Sequence, residues 1–266
     1  MPAVARPSGR LPPSEGAMRI LLLNPNTSTS VTELLAAQVG TMSGAAATFI
    51  PATARFGAAY IASRAALAIA GHAALDAFAE HGQGCDAVFL ACFGDPGLLA
   101  LREVSPVPVV GMLEASCREA QRTAARYAIV TGGALWKPML HEIVAGLGVD
   151  DGLVGIRTIA RTGGEIAKDP EAALSDLAAA CRSCAAEDRA EAVILGGAAL
   201  VGLAARVQPH VLVPVLCSVA SGVTAVLAAA AAPYRRPPVI AADTVGLGTA
   251  LGTLLAPRQA VGQAAG

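Results

Sequence analysis

The chain has 266 residues, 54% hydrophobic and 15% charged, with a net charge of −1, enough for one large or two modest α/β domains. So even a charge balance argues against electrostatic capture of nucleic acid or of an anionic membrane. Aromatic residues make up only 3%, which argues against base-stacking platforms and points to a small, polar substrate held by backbone groups rather than by an aromatic-lined pocket.

Met1–Ala17 is rich in Pro, Gly, Ser and Arg and lacks the apolar run of a secretory signal, so it is expected to be a disordered leader with Met18 as the natural start. Ile20–Leu23 is a short apolar strand, ended by Asn24-Pro25-Asn26-Thr27, a turn suited to cap a helix beginning near Ser30. Ala58–Glu80 has a helical pattern. Ala87–Ala91 reads as a buried strand, ended by Cys92-Phe93-Gly94-Asp95-Pro96-Gly97. Pro108–Met112 is the next strand and Glu114–Arg126 the next helix. Such alternation predicts parallel sheets covered by helices on both faces.

Later in the chain the same order recurs. Thr131 answers Asn24, Gly197 answers Cys92 and Cys217 answers Gly111, at displacements of 107, 105 and 106 residues. The expected fold is therefore α/β, with two pseudo-symmetric lobes and an interlobe cleft. Lobe 1 is expected to hold residues 18–112 and 217–258, lobe 2 residues 113–216, and residues 259–266 form a loose tail.

Mean hydropathy is +0.56, and Val211–Pro233 carries no charge. The Pro, Ser, Gly and Thr within that stretch favour a buried strand, a turn and an Ala-rich helix over a membrane span. With no targeting segment, a cytoplasmic protein is expected. Its six cysteines are then buried or reactive thiols rather than a disulfide framework. Cys181 and Cys184 have redox-motif spacing but sit inside a helical pattern, and Cys85 and Cys117 read as packing. His72, His81, His141 and His210 show no ligand spacing, so no metal is expected. The glycines of Gly246–Gly252 do not fit a dinucleotide fingerprint and suit close packing of a last helix. No cofactor is expected, and the apolar, Ala-rich composition makes a homo-oligomer the expected assembly.

Ligands of open α/β folds bind at the carboxyl ends of the strands. Four strand-end turns thus define the expected site: Asn24–Ser28, Cys92–Gly97, Thr131–Gly133 and Gly196–Ala199. Cys92 stands where a buried strand meets a polar turn. A thiol at a helix N-terminus becomes a competent base or nucleophile near neutrality, whereas a free cysteine buried elsewhere is inert.

Asn24-Pro25-Asn26-Thr27-Ser28, Ala91-Cys92-Phe93-Gly94-Asp95-Pro96-Gly97-Leu98 and Pro108-Val109-Val110-Gly111-Met112-Leu113-Glu114-Ala115 resemble signature blocks of hydantoin racemases, within the wider aspartate/glutamate racemase superfamily. The likeness runs from about Met18 to Leu255. It implies flavodoxin-like lobes, no cofactor, cysteine acid–base chemistry at an α-carbon, and a last strand and helix that return to the first lobe. It also implies a small-molecule substrate with a carboxylate or cyclic imide. Asn24, Thr27, Phe93, Gly94, Thr131, Gly132, Gly197 and Ala198 are the expected substrate contacts. Asp95 is expected to shape its turn, and Glu114 to start its helix.

Racemisation needs one group to take the α-proton and another to deliver one to the opposite face. The resemblance implies a thiol from each lobe, yet Gly197 stands where the second cysteine is expected. Cys217, at the end of the next strand, is either a displaced partner or a buried small residue. Alternatively Cys92 works alone, as in a decarboxylase of the arylmalonate type or a lyase. A third reading is a ligand-binding homologue without turnover.

Overall fold

The computed structural model describes residues 17–238 and 241–256. The expected leader, up to residue 16, and the tail 259–266 lie outside the described residues. Among the described residues, eight strands form two four-stranded, all-parallel sheets. The first contains β1 (Met18–Asn24), β2 (Ala47–Thr53), β3 (Ala87–Leu90) and β4 (Val109–Gly111), in the order β2-β1-β3-β4. The second contains β5 (Tyr127–Gly132), β6 (Leu153–Ile159), β7 (Ala192–Leu195) and β8 (Val215–Cys217), in the order β6-β5-β7-β8. Strand for strand the two orders are the same, the repeat expected from the sequence. Ile20–Leu23, Ala87–Leu90 and Ala192–Leu195 are apolar without alternation and buried on both faces, as inner strands of helix-covered parallel sheets must be.

The helices are α1 (Thr29–Ser43), α2 (Arg64–His81), α3 (Leu98–Val104), α4 (Met112–Thr123), α5 (Trp136–Gly146), α6 (Gly163–Lys168), α7 (Pro170–Ala186), α8 (Leu203–Val207), α9 (Ser218–Ala231) and α10 (Thr249–Leu255). Two of them tie the halves together. Helix α4 follows the last strand of the first sheet but packs against β7 of the second, while α9 follows β8 and packs against β3 and β4. At that contact Gly222 of α9 lies against the Phe89 ring, where a Cβ would collide. One apolar cluster consequently runs from Ile20 and Phe89 through Cys117 to Tyr127 and Ile194. Strand β8 itself remains in the second sheet, and α10 packs on α2 beside the first.

The uncharged stretch Val211–Pro233 holds β8 and α9, as expected. Among the described residues no helix is long and apolar enough to cross a membrane. One element departs from the expected pattern. Helix α2 begins at Arg64 rather than near Ala58, because Ser63 is extended and its side chain accepts the Ala66 N–H as an N-cap. Residues 54–63 instead form a loop, fastened by Ala54 N–H to Asn24 O (2.9 Å) and Thr27 N–H to Ala58 O (3.2 Å).

Candidate active site

The carboxyl ends of β1, β3, β5 and β7 meet around a cavity of about 120 Å³. Cys92, Phe93, Thr131, Gly132, Gly197 and Ala198 line it, six of the residues singled out from the sequence. Asn24, Thr27, Gly94 and Cys217 do not. The fully buried Asn24 amide donates to Asn26 Oδ1 (3.0 Å), Ser28 O (3.2 Å) and Thr32 Oγ1 (3.0 Å), so it organises the first turn. Asn26 and Ser28 reach the cavity in its place. Thr27 anchors the 54–63 loop. Cys217 ends β8 and precedes α9, packed between the two cores.

Cys92 is 7% exposed. Its carbonyl accepts from Gly94 N–H (2.9 Å) and Asp95 N–H (3.1 Å), closing a tight turn. Asp95 has φ +44°, the left-handed region that Asp tolerates better than most residues. That conformation turns its buried carboxylate onto the start of α4, where it accepts from Leu113 N–H (2.9 Å) and Glu114 N–H (2.8 Å). Gly111 is required beside it, since a Cβ there would strike the carboxylate. Burial pushes the Asp95 carboxyl up to about 7, against the pull of those two N–H groups. Burial also raises the neighbouring Glu114, but hydrogen bonds from Arg102 and Arg118 outweigh this and hold it below the usual carboxylate range.

The expected activation of Cys92 by a helix N-terminus is not what the geometry provides. Helix α3 starts only at Leu98, capped by Gly97. Burial, and secondarily the charge of Asp95, push the Cys92 thiol well above its ordinary range. At rest it is a protonated thiol.

On the second sheet, Gly197 occupies the place equivalent to Cys92. Its φ of +138° is one that side-chain-bearing residues rarely adopt, and a Cβ would meet Leu200 Cδ1 at 3.0 Å and Thr131 Oγ1 at 3.8 Å. Its N–H donates to Ser218 Oγ at 3.1 Å.

Composition also misjudged the walls. Tyr60, Phe93 and Trp136 line the cavity, three of the nine aromatic side chains (one Trp, three Tyr, five Phe). Each crosses to a glycine of the other half. Phe93 lies on Gly196, where a Cβ would overlap the ring; Trp136 lies on Gly94, 2.8 Å from where a Cβ would be; and Tyr60 Oη is 2.5 Å from a Cβ built on Gly133. Val31, Ile61 and Leu200 add to this apolar wall.

Fold and site together define a two-lobed parallel α/β protein with a buried thiol at an interlobe, strand-end cavity. Residues 20–226 match the family described as Asp/Glu/Hydantoin racemase, and the chain belongs to that family. A hydantoin racemase of Paenarthrobacter aurescens is 35% identical over 209 residues, 75% of this chain and 85% of that protein. Another, from a Pseudomonas species, is 38% identical over 141 residues, 53% of this chain; the match spans only 57% of that relative's length. Allantoin racemase from Pseudomonas fluorescens has a similar structure, with a TM-score of 0.77 at 28% identity, over 79% of this chain and 90% of that one.

Proposed function

We propose that this protein is a cofactor-independent racemase of hydantoin-like or amino-acid-derived substrates, with Cys92 as an acid–base group at the carbon α to a carbonyl. The observation that carries the reading is the buried thiol of Cys92 at a cavity where the strand ends of both sheets converge, in a chain of the racemase family. Thr131 supplies a hydroxyl to the ring, and the backbone at Phe93, Gly132, Gly197 and Ala198 completes the polar contacts. The aromatic and aliphatic wall favours a cyclic imide carrying an apolar substituent, because such a group gains by leaving water while the few polar groups orient the ring. A cytoplasmic setting and a homo-oligomer are parts of the same proposal, the latter supported by the exposed side chains of Leu99, Leu135 and Leu212.

The test is incubation of single enantiomers of 5-substituted hydantoins in D₂O, followed by NMR and chiral chromatography. Deuteration at the α-carbon with loss of optical purity is expected. A folded protein that deuterates none of them overturns the reading.

Gly197 favours a second reading, a decarboxylase using the single thiol. It requires that a prochiral arylmalonate lose CO₂ and yield one enantiomer, and that no pure enantiomer be racemised.

A further inference from the structure

Racemisation through a planar carbanion needs two proton carriers, one on each face. Among the described residues lining the cavity, only two carry groups that titrate in water: Cys92 and Tyr60. We infer that Tyr60 is the second proton carrier of this site, standing in for the thiol that Gly197 replaces. The inference rests on the racemase reading above.

Placement supports it. Cys92 belongs to the turn after β3 of the first sheet. Tyr60 comes from the 54–63 loop of the same half but delivers its hydroxyl to the other one, where Oη–H donates to Gly132 O at 3.4 Å. Its ring edge is 3.5 Å from where a Cβ on Gly163 would be, and that same Cβ would be 3.5 Å from Ala199 Cβ. The phenol therefore lies against the strand-end turns of the second sheet, the half whose own thiol is missing. A bond as long as 3.4 Å holds the proton weakly, so a ligand can take over the hydroxyl without breaking a strong contact. The hydroxyls near Gly197, those of Thr131 and Ser218, are not ionisable in water and cannot serve as the base.

The step balances without a cofactor. One carrier, deprotonated, takes the α-proton; the C–H electron pair moves into the adjacent carbonyl as an enolate. The other carrier, protonated, delivers its proton to the opposite face, and the C–H bond reforms with inverted configuration. The carriers have then exchanged protonation states, and the opposite enantiomer is processed by the form so produced. Burial pushes the Tyr60 phenol up while the Trp136 indole and the Gly163 backbone pull it down; Cys92 and Glu165 are the acidic groups near it that push it further up. Both carriers thus rest protonated, and turnover accelerates as pH rises into the alkaline range.

Enantiomer-resolved exchange in D₂O tests the assignment. Tyr60→Phe, which keeps the ring and its packing, is expected to lower racemisation by about 10²–10⁴-fold. One enantiomer still exchanges its α-proton with retention, through Cys92. In Cys92→Ala the other enantiomer exchanges with retention, through Tyr60. Racemisation by Tyr60→Phe within a few-fold of the unaltered chain overturns the assignment, as does loss of exchange for both enantiomers in that variant. Failure of the unaltered chain to exchange any enantiomer instead overturns the racemase reading itself.

Discussion

The two halves place their turns after β3 and β7 at equivalent points, yet fasten them with opposite polarity. In the first half a side chain of the turn, Asp95, accepts backbone N–H groups from the helix after the neighbouring strand. In the second half the turn contributes a backbone N–H, at Gly197, and the helix contributes the side chain, Ser218. Both locks hold a strand-end turn to the helix that crosses to the opposite half. Only the first turn presents an ionisable side chain, Cys92, to the cavity. The second uses a backbone shape that glycine adopts without strain, so its lining is backbone there. The two halves share the frame, while the ionisable chemistry at these turns is one-sided.

The largest effect is expected at Cys92. Cys92→Ser keeps size and burial but removes an ionisable thiol, so racemisation should fall by about 10²–10⁴-fold with the melting temperature unchanged. Because burial and Asp95 push the thiol upward, the active ionised fraction grows with pH. Rates should still be climbing at the ordinary thiol range of about 8–9, where an unperturbed cysteine would level off. A plateau near neutrality would show that substrate binding lowers the thiol pKa.

The first lock is the next to break. Asp95→Ala leaves two buried N–H groups without their acceptor and should destabilise by about 1–3 kcal/mol, read from urea unfolding. Asp95→Asn separates charge from geometry, because the amide oxygen still accepts one N–H. It should move the pH dependence of Cys92 alkylation downward, although burial, the larger cause, remains. Asp95 also gives the lock a pH dependence. Its folded pKa of about 7 lies above the ordinary carboxylate value, so its contribution favours folding at low pH and is lost as pH rises through about 7. Across the cleft, Gly196→Ala drives a methyl into the Phe93 ring. Such overpacking should cost about 1–3 kcal/mol and lower activity by shifting the wall.

How much of this was legible in the sequence follows from where each signal is local. Inner parallel strands are buried on both faces, so Ile20–Leu23, Ala87–Leu90 and Ala192–Leu195 read directly as apolar runs, and their spacing exposed the repeat. Cys92 was legible because it abuts such a run. Tyr60 was not. The Ala-rich pattern from Ala58 onward continues smoothly into α2, and only Ser63 as an N-cap and Gly57 with φ +110° mark the loop that carries it. The aromatic wall was hidden for another reason. Composition counts aromatics without saying where they converge, and Phe93, Tyr60 and Trp136 meet only because each sits on a glycine of the opposite half. Asn24 stays outside the cavity lining for the reverse reason: its side chain is polar, but neighbours in its own turn and Thr32 of α1 absorb its hydrogen bonds.

The second lock should be weaker than the first. Ser218→Ala removes one partly buried hydrogen bond to Gly197, worth about 0.5–1.5 kcal/mol. On the proposed reading, in which Gly197 and Ala198 offer the ligand backbone rather than a proton, loosening that turn should raise KM more than it lowers kcat. Cys217, one residue earlier, should matter least. It lies between the two cores and outside the cavity lining, so Cys217→Ala is expected to cost no more than about 1 kcal/mol of stability and to leave racemisation near the parent level. That small effect discriminates sharply. If Cys217→Ala abolished racemisation while the fold survived, the sulfur at the end of β8 would be the missing second carrier, and the asymmetry between the halves would be one of position rather than of chemistry.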